Sequence, residues 1–194
     1  MKKIVAVIGD ARCIKGEPKY DLAFNTGKAL IDAGYRIQCG GLAGVMTAVC
    51  EGARASSNYT EGDTIALIPS FDREKVNEFA DIVIPTGMDI MRNAMVANAD
   101  AVVAIGGGAG TLSEMAIAWS MFRLIIGYTS VEGWSKTLAG QVLDWRKRYP
   151  KIEEDCIYPT QTPEEVVFLL EKYISRYTRK FGGLHWSPED SKQM

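Results

Sequence analysis

The chain has 194 residues, of which 47% are hydrophobic and 24% charged, and its formal net charge is −2. This length suits one domain burying roughly 70% of its unfolded surface, and the near-neutral charge argues against nucleic acid or anionic membrane as a partner. Lys2 and Lys3 precede an apolar run that stops at Gly9-Asp10, too short for a signal-peptide core or a membrane span.

That run, Lys3 to Gly9, instead predicts the first strand. A polar loop through Pro18 leads to a helical pattern over Asp21 to Ala33, ended by Gly34. Tyr35 to Cys39 predicts a second strand that reaches Gly40-Gly41, and Gly44 to Ala55 a second helix. Thr64 to Ile68 and Asp81 to Ile84 predict two further strands on either side of a charged loop. Asp89 to Ala99 reads as helical, with Met88, Met91 and Met95 at helical spacing for core or subunit packing. Ala101 to Ile105 is a strand and a helix follows its glycines. Leu124 to Tyr128 is another strand. Thr137 to Arg148 reads as a helix with Leu138, Val142, Leu143 and Trp145 on its buried side. A short strand at Cys156 to Tyr158 precedes Thr162-Pro163-Glu164-Glu165, a helix start because proline and acids suit a first turn. That helix runs to about Tyr177, which closes a single nucleotide-binding domain over 1–178. Residues 179–194 read as a flexible tail, with Phe181, Leu184 and Trp186 able to dock on a neighbouring subunit.

Continuously apolar strands alternating with helices predict an α/β fold: a doubly wound, Rossmann-like, mainly parallel sheet with helices on both faces. Ligands of such folds bind beyond the carboxyl ends of the strands. Three glycine-marked strand ends meet on that rim: Gly9, Gly40-Gly41 with Gly44, and Gly106 to Gly110.

Other chemistries lack their residues. Cys13, Cys39, Cys50 and Cys156 form no CxxC pair and have no histidines nearby, so no metal site is expected and the thiols are expected to be reduced. The one histidine, His185, lies in the polar tail, far from a triad context. The cytoplasm is the expected compartment.

The most informative stretch is GGGAGTLSE, Gly106 to Glu114. Four glycines within five residues follow a strand and open a helix. Glycines let backbone N–H groups approach a bound anion, and the helix N-terminus favours negative charge there. No GK[ST] follows, so this is not a nucleoside triphosphate loop, and the first strand's end, GDARC, is not the dinucleotide fingerprint. The alternative is a structural turn. Glu114 lies one helical turn in and can reach over the pocket, or else simply stabilise the helix dipole. Arg92 either faces the same pocket or forms a surface salt bridge. Asp10 and Arg12 are further pocket candidates, Asp10 being equally a turn former.

Together, GGGAGTLSE, the upstream Arg92 and GGLAGVM at Gly40 to Met46 resemble the LONELY GUY family of nucleoside 5′-monophosphate phosphoribohydrolases, long mislabelled as lysine decarboxylases. The resemblance covers Lys3 to about Tyr177 and is closer to a sister branch that includes molybdenum-cofactor carrier proteins. It departs from the family pattern at Gly106, where the family has proline, and at Asn93, where its Arg-Lys pair has lysine. The resemblance implies that Gly107, Gly108, Gly110 and Thr111 hold a 5′-phosphate, with Gly9, Gly40, Gly41 and Gly44 on the same rim. Arg92 and Glu114 would be the catalytic pair, Glu114 acting on the N-glycosidic bond by stabilising positive charge on the ribose or activating water. It implies no required cofactor, a bound nucleoside monophosphate or molybdopterin as the phosphorylated ligand, and a homodimer or higher oligomer. Hydrolysis to free base and ribose 5-phosphate is the leading expectation, and non-catalytic carriage or sensing of molybdopterin or a nucleotide is the alternative.

Overall fold

The computed structural model describes residues 1–182. Seven strands form one sheet: β1 (Ile4–Gly9), β2 (Arg36–Cys39), β3 (Thr64–Ile68), β4 (Ile82–Pro85), β5 (Ala101–Ile105), β6 (Leu124–Tyr128) and β7 (Tyr158–Thr160). Every pairing is parallel, in the order β4-β3-β2-β1-β5-β6-β7. The helices are α1 (Pro18–Asp32), α2 (Val45–Arg54), α3 (Asn93–Ala97), α4 (Ala109–Ser120), α5 (Trp134–Leu138) and α6 (Pro163–Tyr173). This is the expected doubly wound α/β fold.

The central strands are apolar throughout because both faces are covered. Val5, Val7, Val103, Ile105 and Ile126 share one core with α1, α2 and α6, whereas Ala6, Ile8, Val102, Ala104 and Ile125 share the other with α3 and α4. Alternate residues point to opposite layers, as the strand period requires. Among the described residues, no helix is long and apolar enough to cross a membrane.

Three expectations need correction. The helix read over Thr137 to Arg148 is only the short α5; Gly140 adopts φ +82° and the chain leaves the helix. Val142 and Trp145 are 60% and 68% exposed, so they form no buried stripe, although Leu138 and Leu143 do pack on the core. What organises this stretch is Arg148. Its guanidinium forks onto Asp155 (Nη2–Oδ1 2.6 Å, Nε–Oδ2 3.0 Å) and stacks 3.4 Å from the Trp119 ring. Second, Asp89 to Ala99 divides into a 3₁₀ turn, Asp89–Arg92, and the short α3, and Asp89 enters the turn at φ +47°. Met88, Met91 and Met95 are exposed rather than core. Third, the last strand lies two residues later than read, at Tyr158–Thr160.

At the start of the expected tail, Arg179 is anchored: its N–H donates to the Tyr149 hydroxyl and its guanidinium stacks on Phe122. Leu184, His185 and Trp186 lie outside the described residues.

Helices α1 and α2 touch through glycines. A Cβ on Gly52 would lie 1.9 Å from the carbonyl oxygen of Phe24, and one on Gly27 would lie 2.1 Å from that of Val49. Gly52→Ala is therefore expected to force the helices apart despite alanine's better helix propensity. The expected cost is about 2 kcal/mol, or about 5 °C in Tm, measured by thermal unfolding.

Candidate binding site at the carboxyl ends of the strands

Strand order reverses between β1 and β5, and the connections leaving those two strands diverge into a crevice. The crevice holds a cavity of about 460 Å³ lined by Gly9, Asp10, Arg12, Gly40, Arg92, Asn93, Gly108, Gly110, Thr111 and Glu114, with Leu42 and Met46 as its apolar wall. Gly41, Gly44 and Gly107 do not line it. Gly41 packs instead toward Ile68 and Ala66, where a Cβ would lie 2.5 and 2.8 Å from their side chains.

The wall formed by α4 begins at Gly108, which offers no side chain to cap the helix. The first amides of a helix have no partner within it, so this end carries partial positive charge and donors. A Cβ at Gly108 or Gly110 would meet nothing within 4 Å, which leaves room for a ligand to come close to the backbone. Gly107 is different. Its N–H already donates to Asp10 Oδ2 at 3.1 Å, and its φ is +92° with Thr111 packed beneath it. Gly106 has φ +62°, a conformation closed to proline. Ser135, which the sequence reading passed over, fixes that loop: Gly106 N–H donates to Ser135 Oγ at 2.8 Å, and Ser135 Oγ donates to the carbonyl of Tyr128. A serine in a short helix after β6 carries no local signal of this role.

The floor is a buried ion pair. Arg92 and Glu114 are 7% and 6% exposed, with Arg92 Nη1 3.1 Å from Glu114 Oε1. Arg92 Nη1 also donates to Asn93 Oδ1 at 3.2 Å, and Asn93 Nδ2 donates to Ser113 Oγ at 2.8 Å. A Cβ on Gly40 would lie 2.5 Å from Arg92 Nη2, so a side chain there would displace the guanidinium. Arg92 thus forms its salt bridge in the interior rather than at the surface, and it also lines the cavity. Burial pushes the Glu114 carboxyl up to about 7, although the Arg92 charge and hydrogen bond pull it down. Arg12 is exposed at the rim and makes no hydrogen bond or ion pair among the described residues.

Comparison with known proteins identifies the family. The model of the SLOG cluster4 family matches residues 2–166. The chain belongs to the SLOG cluster4 family. It is 37% identical over 115 residues to an uncharacterized protein of Archaeoglobus fulgidus, a match covering 59% of this chain and 72% of that one. Among solved structures it is similar to TM1055, at 28% identity and a TM-score of 0.76 over 88% of this chain and 99% of that one. It is also similar to the molybdenum cofactor binding protein of the phototrophic bacterium Rippkaea orientalis, at 26% identity and a TM-score of 0.72 over 90% and 98%.

The Glu114 shift fixes a pH dependence of stability. An unfolded chain loses this proton near 4.5 and the folded chain near 7, so stability falls as pH rises through that window and stays lower above it. Glu114→Gln keeps an acceptor for Arg92 and removes the buried charge. Its Tm is expected to exceed wild type by several degrees at pH 8 and to match it near pH 4.5, measured by calorimetry across pH.

Proposed function

We propose that this SLOG protein binds a phosphorylated, ring-bearing small molecule of the molybdopterin or nucleoside monophosphate class and carries it without turnover. The observation that carries the reading is the division of charge in the pocket. The uncapped N-terminus of α4 and the unpartnered Arg12 offer donors and positive charge at the rim, while Arg92 at the floor is neutralised by Glu114. A phosphate would sit against Gly108, Gly110 and Thr111, and a planar ring against Leu42 and Met46. The cavity is of ordinary small-ligand size. Asn93, in place of a second cation, turns to Arg92 and Ser113 and adds no charge for the ligand. The likeness to the Rippkaea molybdenum cofactor binding protein supports the carrier reading.

Hydrolysis of a nucleoside monophosphate is the second reading, favoured by one observation: Glu114 lines the pocket and titrates near neutrality, as a general acid or base should. Guanosine 5′-monophosphate, whose base shares an amino-oxopyrimidine edge with pterins, separates the two. Carriage predicts binding by calorimetry with no free guanine. Guanine release that disappears in Glu114→Gln would establish hydrolysis instead. The affinity for this probe is expected to rise about tenfold from pH 8 to pH 6, because protonating Glu114 frees the Arg92 charge for the ligand. Glu114→Gln is expected to stay tight and lose that rise.

A homodimer is part of the proposal. Edge strand β4 exposes Ile82 and Ile84, and the segment directly after it exposes Met88, Ile90, Met91 and Met95, an apolar surface suited to a second copy of the chain. Light scattering is expected to give a dimer for wild type and a monomer for the double variant Met91→Glu, Met95→Glu.

A further inference from the structure

Asp10, in the turn after β1, touches three segments around the pocket. Its carbonyl accepts the N–H of Val45 at 2.8 Å, at the start of α2. Its Oδ2 accepts the N–H of Gly107 at 3.1 Å and forms an ion pair with Lys19 of α1. Two glycines are shaped around it. A Cβ on Gly44 would lie 2.2 Å from the Asp10 carbonyl oxygen, and one on Gly106 would lie 2.7 Å from Oδ2. The connections after β1, β2 and β5 are remote in sequence, yet all close on this one residue.

Its charge raises a second question. Asp10 lines the pocket, where a carboxylate would repel a phosphate. Lys19 meets the same oxygen that holds Gly107, so the ammonium cancels the charge without displacing the loop. Lys19 itself does not line the cavity. Its place is behind the carboxylate.

We propose that Asp10 is the positioning residue of the pocket, holding the glycine loop through the Gly107 N–H so that the first amides of α4 face the ligand, and that Lys19 neutralises Asp10 so that an anion can enter beside it. The hold on the loop stands on geometry alone. The charge compensation rests on the proposed binding of a phosphorylated ligand.

Amide exchange on the ligand-free protein tests the hold. Asp10→Ala is expected to speed exchange over residues 105–112 at least tenfold while β6 and α6 keep their protection. Asp10→Asn, which retains an oxygen acceptor, is expected to restore most of it. Equal protection of the loop in wild type and Asp10→Ala would overturn the positioning role. Should Asp10→Ala lose protection throughout, Asp10→Ser takes its place in the comparison. Titration with guanosine 5′-monophosphate and with uncharged guanosine tests the compensation. Lys19→Met is expected to weaken the monophosphate at least tenfold and leave guanosine unchanged, and adding Asp10→Asn is expected to recover the loss. Equal loss for both probes, or none for either, would overturn it. Failure of wild type to bind the monophosphate would refute the binding function, while the exchange result still decides the role of Asp10.

Discussion

The site depends on the reversal of strand order between β1 and β5. These strands are neighbours in parallel register, Gly9 opposite Ile105, so their carboxyl ends finish level. The chain leaves β1 for α1 on one face and leaves β5 for α4 on the other. Nothing in the covalent path fills the gap between diverging connections, and a crevice is the unavoidable result. Level ends also explain why Asp10, one residue beyond Gly9, is within hydrogen-bonding distance of Gly107.

Within that crevice the decisive feature is the interior ion pair. Burying Arg92 and Glu114 costs each its hydration, and their mutual attraction offsets only part of it, which is why the carboxyl is held near neutrality. The charge of the floor therefore depends on the Glu114 proton, while the rim carries uncompensated donors. In the proposed complex the anionic group sits at the rim and the uncharged ring lies deeper. The same fold serves many chemistries, so this distribution of charge bears the functional argument.

Much of the fold was legible because strands buried on both faces must be apolar along their whole length, and the runs at Lys3 to Gly9, Ala101 to Ile105 and Leu124 to Tyr128 are. Thr137 to Arg148 misled for a related reason. Its apolar residues have helical spacing, but spacing cannot reveal that Gly140 turns with positive φ or that Arg148 is drawn inward by Asp155 and Trp119. Met88, Met91 and Met95 were equally ambiguous: their spacing fitted core or subunit packing, and only the structure places them on the surface. For the pocket, glycines were informative because each marks a place where backbone or ligand comes close, yet they do not say which. Gly108 and Gly110 face open space, Gly40 makes room for Arg92, and Gly107 has spent its donor on Asp10.

By itself, the sequence determined the alternation of elements, the parallel sheet and the rim on which Gly9, Gly40 and Gly106 to Gly110 converge. These follow from hydrophobic period and backbone freedom, which are local properties. Only the tertiary structure decided that Arg92 and Glu114 neutralise one another, that Ser135 fixes the glycine loop and that Asp10 and Lys19 stand behind it. Those are distances and burials between segments as many as 97 positions apart, and no local pattern encodes the dielectric or the neighbours that such groups will meet.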